Sequence, residues 1–122
     1  MNKVQDLNLE LIKLASFNEF DGVQVVKDLI EHKDLWRGAV MGRYGGYSEL
    51  IPLRDIQKGC WNIDTLMITP VKGREDELEV LAGGWQADEI DWIGAERACD
   101  MLGSSSPELR ADNKQILRIW WD

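Results

Sequence analysis

Apolar residues recur along the chain with two periods, and the switch between them divides it. From Val4 to Ser16, Leu7, Leu11 and Leu14 fall at helical spacing, with Ile12 widening the stripe; this predicts an amphipathic helix. Asn18 to Gly22 interrupts it. Asp21 then stands as an N-cap with Gln24 three positions on, the pattern of a capping box. Val23, Val26, Leu29 and Ile30 repeat at three and four, so a second helix is expected to reach His32 or Lys33. Two antiparallel helices joined by a short turn are the simplest reading of this first third.

The period then shortens. Trp36 to Tyr44 is too interrupted by glycine for a helix and reads as a strand. Tyr44-Gly45-Gly46-Tyr47 suits a two-residue hairpin, whose type I′ turn needs positive φ at both central positions. Ser48 to Leu53 is the expected return strand, with Pro52 marking an edge or a bulge. Gln57-Lys58-Gly59 is a turn, and Trp61 to Thr69, rich in β-formers, is a third strand ended by Pro70.

Helices return in the second half. Arg74 to Ala82 places Leu78, Leu81 and Ala82 on one stripe, stopped by Gly83-Gly84, with Trp85 just past the stop. Asp88 to Ile93 reads as a short strand. Ala95, Ala98, Cys99 and Leu102 mark a helix, and Gly103 is placed as its C-terminal glycine. Ser106-Pro107 opens one more helical turn. Lys114 to Trp121 is apolar on both faces, as in a strand buried within a sheet. The expected fold is a single α+β domain over residues 1–122. It is a mixed sheet of about five strands with an N-terminal helix pair and two to three further helices packed on it. The helical crossovers are expected to make some neighbouring strands parallel.

Composition narrows the function classes. The chain has 122 residues, 14 Lys+Arg against 22 Asp+Glu, and a net charge of -8. That charge argues against nucleic acid and anionic membrane surfaces as partners, since both would repel it. No apolar run approaches a membrane span, and no secretory leader is read at Met1 to Asp6, so a cytoplasmic location is expected. Cys60 and Cys99 lie far apart with no metal-ligand spacing. They read as reduced thiols in a reducing compartment, a disulfide between them being the other reading. The composition is most unusual in its six tryptophans.

Catalytic signatures are weak. The chain has no nucleophile elbow, zinc-protease helix or P-loop. Gly42 to Gly46 has the glycine density of a phosphate loop but not its Lys-Ser/Thr ending, and a hairpin turn accounts for it better. Cys60 with His32 lacks any supporting signature, and the pairs Asp88 with Asp91 and Glu75 with Glu79 read as solvated faces. No catalytic residue, metal site or cofactor is assigned.

The hairpin suggests two binding surfaces. Pairing across Gly45-Gly46 sets Trp36, Gly38, Val40, Gly42, Tyr44, Tyr47 and Glu49 on one face. Its small glycines form a trough walled by Trp36, Tyr44 and Tyr47, with the Glu49 carboxylate, suited to a cationic or amphipathic small ligand. The competing reading is that the glycines admit a packed helix and the aromatics are core. Arg37, Arg43 and Arg54 share the opposite face and suit an acidic partner surface or plain solvent exposure. Trp120 and Trp121 point to opposite sides of the last strand, so one of them is a candidate interface residue.

In its length, its Trp-rich strands and its compact end Leu117-Arg118-Ile119-Trp120-Trp121-Asp122, the chain resembles the small acidic proteins encoded on bacterial integron gene cassettes. The resemblance implies a cytoplasmic, often oligomeric α+β protein and transfers no site residues. Toxin-neutralising immunity proteins are similar in being small, acidic and aromatic-rich. The expected function is a non-enzymatic binding module, a homo-oligomer or a partner of a basic protein. A small-ligand binder or minor enzyme using the trough is the alternative. Residues 75 to 100 hold nine acids against Arg97 alone, so the whole net charge sits in one stretch. Arginines of a neighbouring copy are a candidate match for it.

Overall fold

Asn2 opens the first helix: its side-chain oxygen accepts the backbone N–H of Gln5 at 2.8 Å, satisfying a donor that a helix start leaves over. The computed structural model describes residues 2–42, 56–59, 61, 63–102 and 113–122. Helix α1 spans Lys3–Leu14. A reversal at Asn18, held at φ +48°, pairs two short strands, β1 (Ser16–Phe17) and β2 (Phe20–Asp21), antiparallel. Helix α2 (Gly22–Glu31) begins under the expected cap, with Asp21 accepting from the Gln24 N–H at 3.2 Å. The Gln24 side chain turns forward to Asp28 instead of back to Asp21, so only half of the capping box forms.

Gly22 lets the two helices meet. A Cβ there would lie 2.1 Å from the Ile12 carbonyl oxygen and 2.5 Å from that of Ala15, distances no side chain tolerates. The helix pair therefore exists as expected, but its inner stripe differs. Leu9 and Ile12 of α1, and Val25, Val26 and Leu29 of α2, are buried. Leu7, Leu14, Val23 and Ile30, expected on the inner stripes, stay exposed.

Strand β3 (Trp36–Gly42) follows a turn of 3-10 helix and pairs antiparallel with β4 (Thr65–Pro70). Helix α3 (Glu75–Ala82) and a 3-10 turn ending in buried Trp85 lead to β5 (Glu89–Ile93). Helix α4 (Ala95–Leu102) precedes the closing strand β6 (Ile116–Trp120). The sheet order is β3-β4-β6-β5 with every neighbour antiparallel. The fold class is α+β, as expected. The described strands number four in this sheet, and among them the expected parallel neighbours are not formed. Strands β4 and β5, joined through α3, do run parallel, but β6 lies between them. Its buried apolar residues, Leu117 and Ile119 on one face and Ile116 on the other, fit that central place between two strands. The Gly45-Gly46 hairpin, the return strand Ser48 to Leu53, Gly103 and the Ser106-Pro107 turn lie outside the described residues. Gly59, at φ +75° with its N–H on the Ile56 carbonyl, forms the turn expected there.

The main core lies on one face of the sheet. Leu66, Ile68, Leu117 and Ile119 meet the buried stripes of α1, α2 and α3. The opposite face carries a smaller cluster, in which Ala98 of α4 covers Ile93 and Ile116 with Met67 beside them. Among the described residues, no helix is long and apolar enough to cross a membrane, and no cluster of His, Cys, Asp and Glu is placed to hold a metal ion.

Candidate functional site

A bulge decides where the first part of strand β3 points. The register slips between Trp36 and Gly38, leaving Arg37 as the extra residue. Trp36 therefore turns to the same face as Ala39 and Met41, and all three are buried. The Trp36 indole N–H donates to the Leu29 carbonyl at 2.8 Å, fixing the ring under α2. Gly38, Val40 and Gly42 lie on the other face. Strict alternation, which put Trp36 above the same trough as Gly38 and Val40, is corrected by that one inserted residue. The remaining trough residues, Tyr44, Tyr47 and Glu49, lie outside the described residues, as do Arg43 and Arg54. Arg37 is exposed.

The closing tryptophans separate as their alternation predicts. Trp121 is core: its indole donates to the Trp85 carbonyl at 2.9 Å, and its ring meets Phe20 edge to face at 4.5 Å. Trp120 points to the other face and is half-buried. Of the two candidate interface residues, only Trp120 has surface to offer.

The acidic stretch is largely engaged within its own chain. Lys114 reaches Asp76 at 3.0 Å, and Arg74 clamps Glu77 while also meeting Asp34 at 3.1 Å. The hydrogen bond from Arg74 holds the Glu77 carboxyl below its ordinary range, and the one to Asp76 holds the Lys114 ammonium above its own. Buried Arg118, in the middle of the sheet, bonds both Asp91 at 3.0 Å and Glu89 at 3.2 Å. Glu79 accepts the Trp92 indole N–H, and Asp88 the Asp122 backbone N–H. Six of the nine acids thus have partners within the chain, so the stretch is less open to an external cation than its sequence suggests.

The open surface lies elsewhere. Along α1, Val4, Leu7, Leu11 and Leu14 follow a three-four-three spacing, the seam of a helix that meets another helix or a groove. Val4 is 72% exposed, Leu7 55% and Leu14 71%, with Leu11 half-buried. Beside the start of this ridge runs a groove of about 460 Å³. Gly38, Val40, Met67 and Ile116 line the sheet side of it, and Met101 and Leu102 of α4 line another part. Val4 belongs to both features, so ridge and groove are one continuous apolar surface.

Most of the groove's polar side chains are already engaged. The Gln5 amide donates to the Ala39 carbonyl at 2.7 Å and accepts the Ala39 N–H at 2.9 Å, so it closes the edge of β3 like one residue of a further strand. Asn8 donates to the Val4 carbonyl, the Asn2 oxygen holds the Gln5 N–H, and the Thr69 hydroxyl donates to the Gly38 carbonyl. No charged residue lines the groove among those described. A surface with most of its polar groups bonded and no charge among its described residues favours apolar shape. Two methionines in the lining, Met67 and Met101, let it adapt to what it holds. Sequence reasoning missed this surface because it placed Leu7 and Leu14 on the inner stripe. The signal was present in the seven-residue interval between them, which repeats from Val4 to Leu11.

Comparison with protein-family models, with curated proteins and with solved structures finds no match for the chain.

Proposed function

We propose that this protein acts by binding and not by catalysis, as a small acidic interaction module that associates with itself. The observation that supports this reading is the α1 ridge, whose Val4, Leu7 and Leu14 are each more than half exposed. Contiguous open apolar surface on this scale marks interaction sites in soluble proteins. Charge supports the same reading. Helix α1 carries Lys3, Asp6, Glu10 and Lys13 and is neutral, although each chain carries -8. Contact through it brings together a neutral part of two like-charged molecules. A basic protein partner has weaker support, because most of the acidic stretch is engaged within the chain. A cytoplasmic setting and kinship with integron cassette proteins belong to this proposal, resting on cysteine usage and overall sequence character.

Light scattering coupled to size exclusion, over a range of concentration and salt, tests it. Self-association is expected to persist or strengthen as salt is added, because screening weakens the repulsion between copies and leaves apolar burial intact. A strict monomer at high micromolar concentration overturns the proposal. Association that dissolves with added salt replaces the apolar contact with arginine–carboxylate pairing, in which exposed Arg37 would take part.

A further inference from the structure

Resting on that reading, we infer that the occupant of the groove is the α1 ridge of a second copy, placed there by a two-fold axis. The surface has the two parts such a contact needs, side by side. The groove beside Gly38 and Val40 is concave, and Leu7, Leu11 and Leu14 project from a helix next to it. Val4 is shared, so a two-fold axis passing near it sets each ridge against the partner's groove. Such a contact is self-complementary and closes at two copies without leaving an open end. It also places the seam's apolar side chains against Met67, Met101 and Leu102. Of these, Met101 is 42% and Leu102 37% exposed.

Area and charge agree with a second copy. These exposures leave on the order of 500 Å² of apolar side chain open per copy, the size of the largest patch on an ordinary monomer, which is often functional. Closing it in both copies would bury about 1,000 Å², the floor for a specific interface. Neither surface requires an ion from its partner, since the described groove lining is uncharged and both ends of the Gln5 amide are already bonded. Among the described residues, the lining offers a cationic small molecule no charged counter-group. A second ridge of Leu side chains needs none.

A charge-swap complementation tests the inference. The ridge variant carries Leu7→Lys and Leu14→Lys; the groove variant carries Val40→Glu and Met101→Glu. Met101→Glu alone serves as a milder groove variant, since Met101 is exposed near a helix end, and circular dichroism confirms each fold. Each variant alone is expected to associate at least about tenfold more weakly than the unaltered chain. An equal mixture is expected to recover association, because it restores one ridge–groove contact and pairs Lys with Glu in the other. A groove variant that associates like the unaltered chain means that ridges pack on ridges, which overturns this inference and leaves the proposed function standing. Loss in both variants without recovery on mixing also overturns it. An unaltered chain that stays monomeric removes the proposed function itself, so the two failures are told apart.

Discussion

Two apolar stripes run along the same helix and meet opposite fates. Leu9 and Ile12 of α1 are buried against the sheet and α2, while Leu7 and Leu14, from the same residue class and within a turn of them, face outward. Hydrophobic periodicity identifies a helix with great economy, but a helix with apolar residues most of the way round has more than one stripe to offer. Which one turns inward is decided by what is close to it. Here that is Gln5, locked onto the Ala39 backbone, and Gly22, which lets α2 touch the carbonyls of Ile12 and Ala15. Together these set the rotation of α1 about its axis. The inner stripe serves stability and the outer one is left for contact.

Substitutions should separate those roles. Ile12→Ala is expected to lower unfolding free energy by about 3 kcal/mol, because its side chain is fully enclosed. Leu14→Ala on the outer stripe is expected to change the stability of the isolated monomer by less than about 0.5 kcal/mol. Denaturant melts of dilute protein measure both, and equal losses would erase the distinction between the stripes. Gly22→Ala comes next, at about 2–3 kcal/mol, since its Cβ meets backbone that cannot step aside. A neutral result would show that the helices do not cross where the structure has them.

Smaller effects sharpen how α1 is held. Gln5→Ala removes two hydrogen bonds to the Ala39 backbone and is expected to cost about 1–2 kcal/mol. Hydrogen exchange at the Ala39 amide should quicken in that variant, and unchanged protection would deny Gln5 its role at the strand edge. The smallest effect is a pH dependence far from α1. Glu77 is held below its ordinary value of 4.5 by the hydrogen bond from Arg74. Its contribution to stability is present above that value and lost as pH falls through the lower folded value. An Arg74→Gln variant should therefore show a shallower loss of stability in acid than the unaltered chain. An identical acid limb would mean that this exposed pair contributes nothing.

Much of the fold was legible in the sequence. The helix pair, the cap at Asp21, the helix before Gly83-Gly84, the strand after Asp88 and the doubly apolar last strand each rest on short-range chemistry that a local pattern records. Strand adjacency was not legible. Nothing local to Thr65–Pro70 or Glu89–Ile93 says that the last strand enters between them, yet its two apolar faces fit that central place. The expected place of Trp36 on the trough was lost for a similar reason. One bulged residue, Arg37, turned the ring to the other side of the sheet.

The contact surface shows the same division. Four apolar residues at three-four-three spacing on α1, and glycines alternating with Val40 in β3, are properties of the sequence alone. That Val4, Leu7 and Leu14 face outward, and that Gly38 and Val40 line a groove beside them, follows only from long-range packing. Backbone periodicity repeats every few residues, whereas a helix's rotation and a strand's neighbours depend on partners tens of residues away. Charge divides in the same way. The sequence by itself determined that the acids cluster between residues 75 and 100. Arg74 meets Glu77 three residues along, but only the tertiary structure brought Lys114 and Arg118 onto the stretch, because ion pairing depends on distance in space and not on distance along the chain.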